Sequence, residues 1–241
     1  MYQYNDDSLM LHNDLYQINM AESYWNDGIH ERIAVFDLYF RKMPFNSGYA
    51  VFNGLKRVVN FIENFGFTNE DITYLKSIGY EEDFLNYLKD LKFTGNIKSM
   101  QEGEICFGNE PLLRVEAPLI QAQLIETILL NIINFQTLIA TKASRIRQIA
   151  THDTLMEFGT RRAQEIDAAL WGARAAFIGG FDSTSNVRAG KLFNIPVSGT
   201  HAHALVQTYG DEYIAFKKYA ERHKNCVFLV DTFHTLKSGV P

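Results

Sequence analysis

From about residue 151 onward the sequence repeats one cadence: a short apolar run, a glycine-bearing loop, then a helix-like stretch. "TLMEF" precedes "GTRRAQE" and "IDAALWGAR"; "AAFI" precedes "GGFDSTSN" and "VRAGKLF"; "IPV" precedes "SGT" and "HAHALVQTYG"; "CVFLV" leads into "DTFHTLKSGVP". Strand centres fall near Leu155, Ala176 and Val197, 21 residues apart. That is close to the shortest unit that can return a chain to a neighbouring parallel strand. The cadence predicts a parallel sheet covered by crossover helices, with chemistry at the carboxyl ends of the strands. Four such units make either a small open sheet or half of an eight-stranded barrel. Pro241 follows the fourth strand with no helix to cover it, so the expectation is a barrel begun here and incomplete in this chain.

Residues 1–150 have a different texture, and the expected domains are 1–150 and 151–241. Asp14 to Asp27 has helical spacing, and "IAVFDLYF" (Ile33–Phe40) reads as a strand. Ala50 to Asn64 reads as helix. Thr68 to Leu91 reads as two short helices, with Thr68 and Asp71 spaced as a capping pair. Short strands separated by glycines follow from Lys92 to Val115, and Pro118 opens a long helix running through Ile149. That helix is apolar, but Gln121, Gln123, Glu126, Asn131, Asn134 and Gln136 interrupt it. A membrane span would not carry so many polar groups. With no basic, apolar leader at the start, the expectation is a soluble, cytoplasmic protein. Cys106 and Cys226 are then two free thiols rather than a disulfide framework.

Three loops at the ends of successive strands gather the residues suited to chemistry. The first carries Arg161 and Arg162 after Gly159-Thr160, and a guanidinium grips a carboxylate or phosphate with a bidentate fork. The second holds Ser183, Thr184, Ser185 and Asn186, a candidate cradle of hydroxyls and backbone N–H groups, or simply a helix cap. The third holds Thr200, His201 and His203. If a helix begins near Thr200, the two histidines point about 200° apart, which with no third ligand nearby argues against a metal site. A histidine at a helix N-terminus can instead be a nucleophile towards phosphorus, and spacing does not choose between the two. Between Lys142 and Lys191 there are 8 basic residues against 5 acidic ones. That surplus suits a small anionic ligand and falls short of a nucleic-acid surface.

Several stretches together carry a resemblance. "DLYQINMAESYW", "FRKMPFNSGYAVFNGL", "VEAPLIQAQLIETILLNIINFQTLIATKASRI", "EFGTRRAQ", "GGFDSTSN", "SGTHAHALVQ" and "VDTFHTLKSGVP" are similar, in this order, to nicotinate phosphoribosyltransferases of the bacterial type. The resemblance runs from about residue 8 to the last residue. It implies a type II phosphoribosyltransferase-like α/β fold: an N-terminal α/β domain, then the first part of an irregular α/β barrel. It implies the joining of nicotinate to 5-phosphoribosyl-1-pyrophosphate (PRPP) in NAD salvage. ATP hydrolysis is coupled through a phosphohistidine (hence a ligase class), Mg2+ accompanies the phosphates, and a homodimer completes the site.

Carried over by position, the phosphorylated residue is His203, and His201 takes a variable place. Thr200 and Tyr16 fall at nicotinate contacts, with Tyr16 reaching the partner subunit's site. Arg161 suits the substrate carboxylate or a phosphate, with Arg162, Ser183, Ser185 and Asn186 as further contacts. His234 stands where the family often has an acidic residue. Family members are roughly twice this length, so the chain alone is expected to be inactive. Two other readings are a non-catalytic binding or assembly derivative of the family and a related enzyme using nicotinamide.

Overall fold

The computed structural model describes residues 9–241, and contacts divide them into two units. One runs to Thr151 and takes in Ile178–Gly180; the other comprises His152–Phe177 and Phe181–Pro241.

The first unit is built on helix α5 (Leu119–Ile149) and the strands packed on it. β1 (Ile33–Leu38), β3 (Asn96–Ser99) and β5 (Leu113–Pro118) form an antiparallel sheet in the order β1-β5-β3. In β5 burial alternates, with Leu113, Val115 and Ala117 turned inward, as the two-residue period of a half-buried strand requires. On its outer face Arg114 grips Asp37 of β1 with two hydrogen bonds of 2.7 Å. Helices α1 (Leu15–Asn26), α2 (Leu55–Glu63), α3 (Asn69–Ser77) and α4 (Glu82–Asp90) complete the unit. Phe52, Phe84, Leu88, Ile120 and Leu124 are fully enclosed in its core. The capping pair forms as expected: the Asp71 N–H donates to Thr68 Oγ1 at 3.1 Å, and the Thr68 N–H donates to Asp71 Oδ2 at 2.8 Å.

The stretch read as one helix from Ala50 to Asn64 is two elements. Ala50–Val51 is strand β2, paired with β4 (Ile105–Cys106), and α2 starts only at Leu55. Gly54 separates them at φ +111°, where a Cβ would lie 3.2 Å from the Ile132 carbonyl oxygen and the Ile133 Cα. A side chain is excluded there by both backbone conformation and space. On the side of β2 away from β4, and just past its end, α5 supplies backbone partners. Thr141 Oγ1 accepts from the Val51 N–H at 2.9 Å, and Thr137 Oγ1 accepts from the Asn53 N–H at 3.1 Å. Gln121 does the same for Thr94, accepting its N–H at 2.8 Å. Among the described residues α5 is the one helix long and apolar enough to cross a membrane by length and composition. Its buried Gln121, Thr137 and Thr141 lie in the core of this unit, and buried polar groups need such partners.

In the second unit β6 (Met156–Glu157) and β7 (Ser183–Thr184) pair in parallel. Parallel bridges join Thr184 to Val197 and Thr200 to Val227, so four short segments lie side by side in chain order. They form no closed barrel among the described residues. Between them run α6 (Glu165–Ile178), α7 (Val187–Phe193), α8 (His203–Tyr209) and α9 (Glu212–Ala220).

The segment "AAFI", expected as the second strand, is instead the last turn of α6. Ala169, Leu170, Ala173 and Ala176 repeat at three and four residues and are all buried. Alanine is also the best helix former, so the helix runs on until Gly179-Gly180, where Gly180 takes φ +105°. The strand is thereby displaced to Ser183–Thr184, inside what the sequence presents as a loop.

Candidate active site

The loops after β6 and β7 are tied together by one carboxylate and one hydroxyl. Glu157 ends β6, and its Oε1 accepts from the Gly159 N–H at 2.5 Å. Its Oε2 accepts from Thr184 Oγ1 at 2.6 Å. The same Thr184 Oγ1, fully buried, accepts from the Asn186 N–H at 3.0 Å. Asn186 caps α7, its Oδ1 accepting from the Ala189 N–H at 3.0 Å, while its Nδ2 donates to the Ala169 carbonyl at 3.4 Å. Ser183 Oγ is buried with no hydrogen-bond partner among the described residues. Ser185 is half-buried, and its N–H donates to the Glu157 carbonyl at 2.9 Å.

Arg161 and Arg162 lie in a single 3₁₀ turn, Thr160–Arg162, ahead of α6 rather than in its first turn. The first turn of α6 carries Glu165 and Asp167, as the helix dipole favours. Both arginines are exposed, and neither side chain has a partner among the described residues.

The third and fourth segments decide the two histidines. The helix begins at His203, not near Thr200, with Ala202 as its N-cap. His201 therefore precedes the helix and turns inward, 8% exposed, its ring 5.3–5.4 Å from those of Phe216 and Tyr219. Its Nε2 accepts from the Leu229 N–H at 3.1 Å. An accepting Nε2 puts the ring proton on Nδ1, 3.3 Å from the Ala202 carbonyl. His203, by contrast, is exposed. Its Nδ1 lies 3.1 Å from Thr232 Oγ1 and its Nε2 lies 3.9 Å from Asp231 Oδ1. One ring nitrogen lies beside a hydroxyl, the other has only a distant carboxylate, and the ring is open to solvent. Thr200 bridges to Val227, and its Oγ1 donates to the His201 carbonyl at 2.8 Å. His234 lies beyond, as the N-cap of the turn Thr235–Gly239.

Tyr16 belongs to the first unit. It stands on α1, half exposed, in the wall of a cavity of about 820 Å³. Sequence reasoning missed Glu157 and the pair Asp231–Thr232, and it placed Thr184 in the cradle without its tie to Glu157. An acidic residue ending a strand was the available signal for Glu157. The contacts of Thr184 to Glu157 and of Thr232 to His203 join residues 27 and 29 positions apart.

The architecture is that of the type II phosphoribosyltransferase-like proteins, here an α/β N-terminal unit followed by parallel strand segments and helices. A family model described as the nicotinate phosphoribosyltransferase N-terminal domain matches residues 11–134. The chain belongs to the nicotinate phosphoribosyltransferase family. It is 67% identical to nicotinate phosphoribosyltransferase of Bacillus subtilis over all of its own length and 49% of that protein's. It is 40% identical to nicotinate phosphoribosyltransferase of Dictyostelium discoideum, over 95% of this chain and 46% of that one. Human nicotinic acid phosphoribosyltransferase superposes with a TM-score of 0.77 at 39% identity, over 81% of this chain and 40% of the human one. A nicotinate-nucleotide pyrophosphorylase from Pyrococcus furiosus gives 0.79 at 25% identity, over 97% and 53%. The chain spans about half the length of the curated relatives it matches.

Proposed function

We propose that the chain forms the first half of a nicotinate phosphoribosyltransferase, which joins nicotinate to PRPP and releases pyrophosphate in NAD salvage. ATP serves as co-substrate through a phosphohistidine at His203, giving the enzyme its ligase character. The observation that carries this reading is the setting of His203: exposed, first in α8, with Thr232 on one nitrogen and the other free of close partners. In the phosphorylation step a ring nitrogen bonds to the terminal phosphorus of ATP while the bond from that phosphorus to the ADP oxygen breaks. The free N–H groups of the α8 N-terminus suit the charge that accumulates there. In the transfer step the pyridine nitrogen of nicotinate bonds to the ribose anomeric carbon as its bond to pyrophosphate breaks. Holding the leaving group then matters more than a strong nucleophile.

Arg161 and Arg162, exposed and unengaged, are suited to the nicotinate carboxylate and the phosphates. Thr200 and Tyr16 contact nicotinate, Tyr16 from across a homodimer. Ser185 offers a further phosphate contact, whereas Ser183 and Asn186 are buried and shape the loop. Asp231, 59% exposed beside His203, is the kind of oxygen donor that Mg2+ takes while it keeps most of its water and shares the substrates' phosphates. The ion would neutralise phosphate charge. We assign the enzyme to the cytoplasm.

The test is made on the full-length form, with the second half that the relatives possess. Terminally labelled ATP should leave an acid-labile phosphate on the wild-type protein and none on His203→Asn, with nicotinate mononucleotide formation falling in step. Label retained by His203→Asn would refute the assignment. A stable protein with neither label nor turnover would favour the binding or assembly derivative.

A further inference from the structure

Beside Tyr16, three side chains form a relay whose hydrogen-bond directions are fixed by chemistry. Gln17, on α1, is fully buried and Gln123, on α5, is 5% exposed. Glu126 sits one turn beyond Gln123 on the exposed side of α5. Gln17 Nε2 donates to Glu126 Oε2 at 3.0 Å and to the Tyr16 hydroxyl oxygen at 3.2 Å. Gln123 Nε2 donates to the same Glu126 oxygen at 3.1 Å and also to Gln17 Oε1. An ionised carboxylate only accepts, so both amide nitrogens must face it. That removes the usual ambiguity in the orientation of an amide. Gln17 therefore places an N–H on the Tyr16 oxygen. The tyrosine's own proton is left over, with no acceptor among the described residues, at a side chain 51% exposed to the cavity.

We infer that Glu126, acting through Gln17 and Gln123, is a positioning group that holds the Tyr16 hydroxyl as an outward hydrogen-bond donor to an anionic substrate oxygen. The inference rests on the reading that Tyr16 touches substrate. Around the same cavity Arg41 supplies positive charge while Asp14 and Glu126 supply negative charge, so the anion would be held by directed hydrogen bonds and by Arg41 rather than by a net positive field. Arg41 is exposed there with no side-chain partner among the described residues, and Asp37 is neutralised by Arg114. Asp14, also in the wall, is open to water. The anionic oxygen can come from the carboxylate of nicotinate or from a phosphate of PRPP. A Gln at 126 could donate as well as accept, so the amide of Gln17 could turn its oxygen to Tyr16 and draw the proton inward.

The experiment uses full-length enzyme and compares Glu126→Gln, Glu126→Ala, Tyr16→Phe and the double variant Glu126→Gln/Tyr16→Phe. Losing a hydrogen bond to a charged group should raise one KM about tenfold, with kcat within about twofold; the thermal midpoint should hold for Tyr16→Phe and Glu126→Gln and fall for Glu126→Ala, which strands the buried amide nitrogens of Gln17 and Gln123. A rise in the nicotinate KM, with weaker discrimination against nicotinamide, identifies the carboxylate as the acceptor. A rise in the PRPP KM identifies a phosphate. The double variant should be no worse than Tyr16→Phe alone, because both remove the same interaction. If Tyr16→Phe raises a KM and neither Glu126 variant does, the relay is overturned while the role of Tyr16 stands. If Tyr16→Phe changes neither KM, the hydroxyl makes no substrate contact and the inference falls; Tyr16→Ala, which also removes the ring, then decides whether Tyr16 touches substrate at all. Glu126 variants that lose stability at unchanged KM reduce the relay to a tie between α1 and α5, and overturn it too.

Discussion

Thr184→Val tests whether one buried hydroxyl holds the first two loops of the second unit together. Valine keeps the shape of threonine, so packing is preserved and only hydrogen bonds change. Thr184 Oγ1 donates to Glu157 Oε2 at 2.6 Å and accepts from the Asn186 N–H at 3.0 Å. The bond to a carboxylate contributes roughly 1.5–3 kcal/mol, and stranding a buried N–H costs roughly 1–3 kcal/mol. Glu157 is half-buried and keeps its bond to the Gly159 N–H, so water and that bond recover part of the first loss. The expected cost is about 2–4 kcal/mol. Thr184→Ser is the control: it keeps both hydrogen bonds and loses a buried methyl, worth about 1 kcal/mol. Trp171 lies on α6 of this unit and Trp25 in the other, and these are the chain's two tryptophans. In a Trp25→Phe background, urea unfolding followed by Trp171 fluorescence therefore reports on the second unit. A serine variant less stable than the valine variant would refute the reasoning, because packing and not the hydroxyl would then dominate.

Three further outcomes follow from groups elsewhere in the fold. Burial pushes the Cys106 thiol up to about 11, and the residue is fully enclosed; at pH 8 a thiol reagent should label the half-buried Cys226 and reach Cys106 only on unfolding, as mass spectrometry will show. His201→Ala should destabilise the second unit by about 2–4 kcal/mol, since it empties a ring-sized space and strands the Leu229 N–H; a thermal midpoint within a degree of wild type would contradict this. Hydrogen bonding from Arg114 lowers the Asp37 carboxyl below its ordinary 3.8, so the pair's contribution is complete above that pH and lost as pH falls through the lowered value. The midpoint difference between wild type and Arg114→Gln should therefore shrink in acid, and a difference constant from pH 6 to 2.5 (a window of about 3.5 units around the carboxylate range) would exclude the linkage.

Elements whose signals are local were legible from the chain alone. Thr68 and Asp71 cap α3 through atoms three residues apart, β1 is rich in β-branched and aromatic residues, and α5 is a long apolar run opened by Pro118. The two misread segments depended on distant partners. Ala50–Val51 is a strand because Ile105–Cys106 and Thr141 of α5 meet its backbone, and those partners lie 54 to 90 positions away. "AAFI" has the composition of either element, and the buried face shared with Ala169, Leu170 and Ala173 decides for helix. The general cadence of parallel segments survived the second error, because displacing a strand along the chain leaves its loop at the same end of the sheet.

His201 and His203 show where local reading of the site stops. A helix starting near Thr200 would put both rings on one helix with no reason to rank them, and the resemblance alone favoured His203. The helix starts three residues later than Thr200, and that shift separates their fates. His201 falls on the extended approach to α8, where its ring enters an aromatic cluster of Phe216, Tyr219 and Phe228 and spends Nε2 on a backbone N–H. A ring so committed cannot attack a phosphorus atom without breaking the fourth segment away from the third. His203 occupies the first helical position, where unpaired N–H groups gather and its ring faces solvent. Residues 229 to 232 bring together the two contacts that distinguish them, the Leu229 N–H for one imidazole and Thr232 Oγ1 for the other. The last parallel segment thus gives the two imidazoles different partners, which is why the surroundings of the two histidines could not be told apart before that segment was placed.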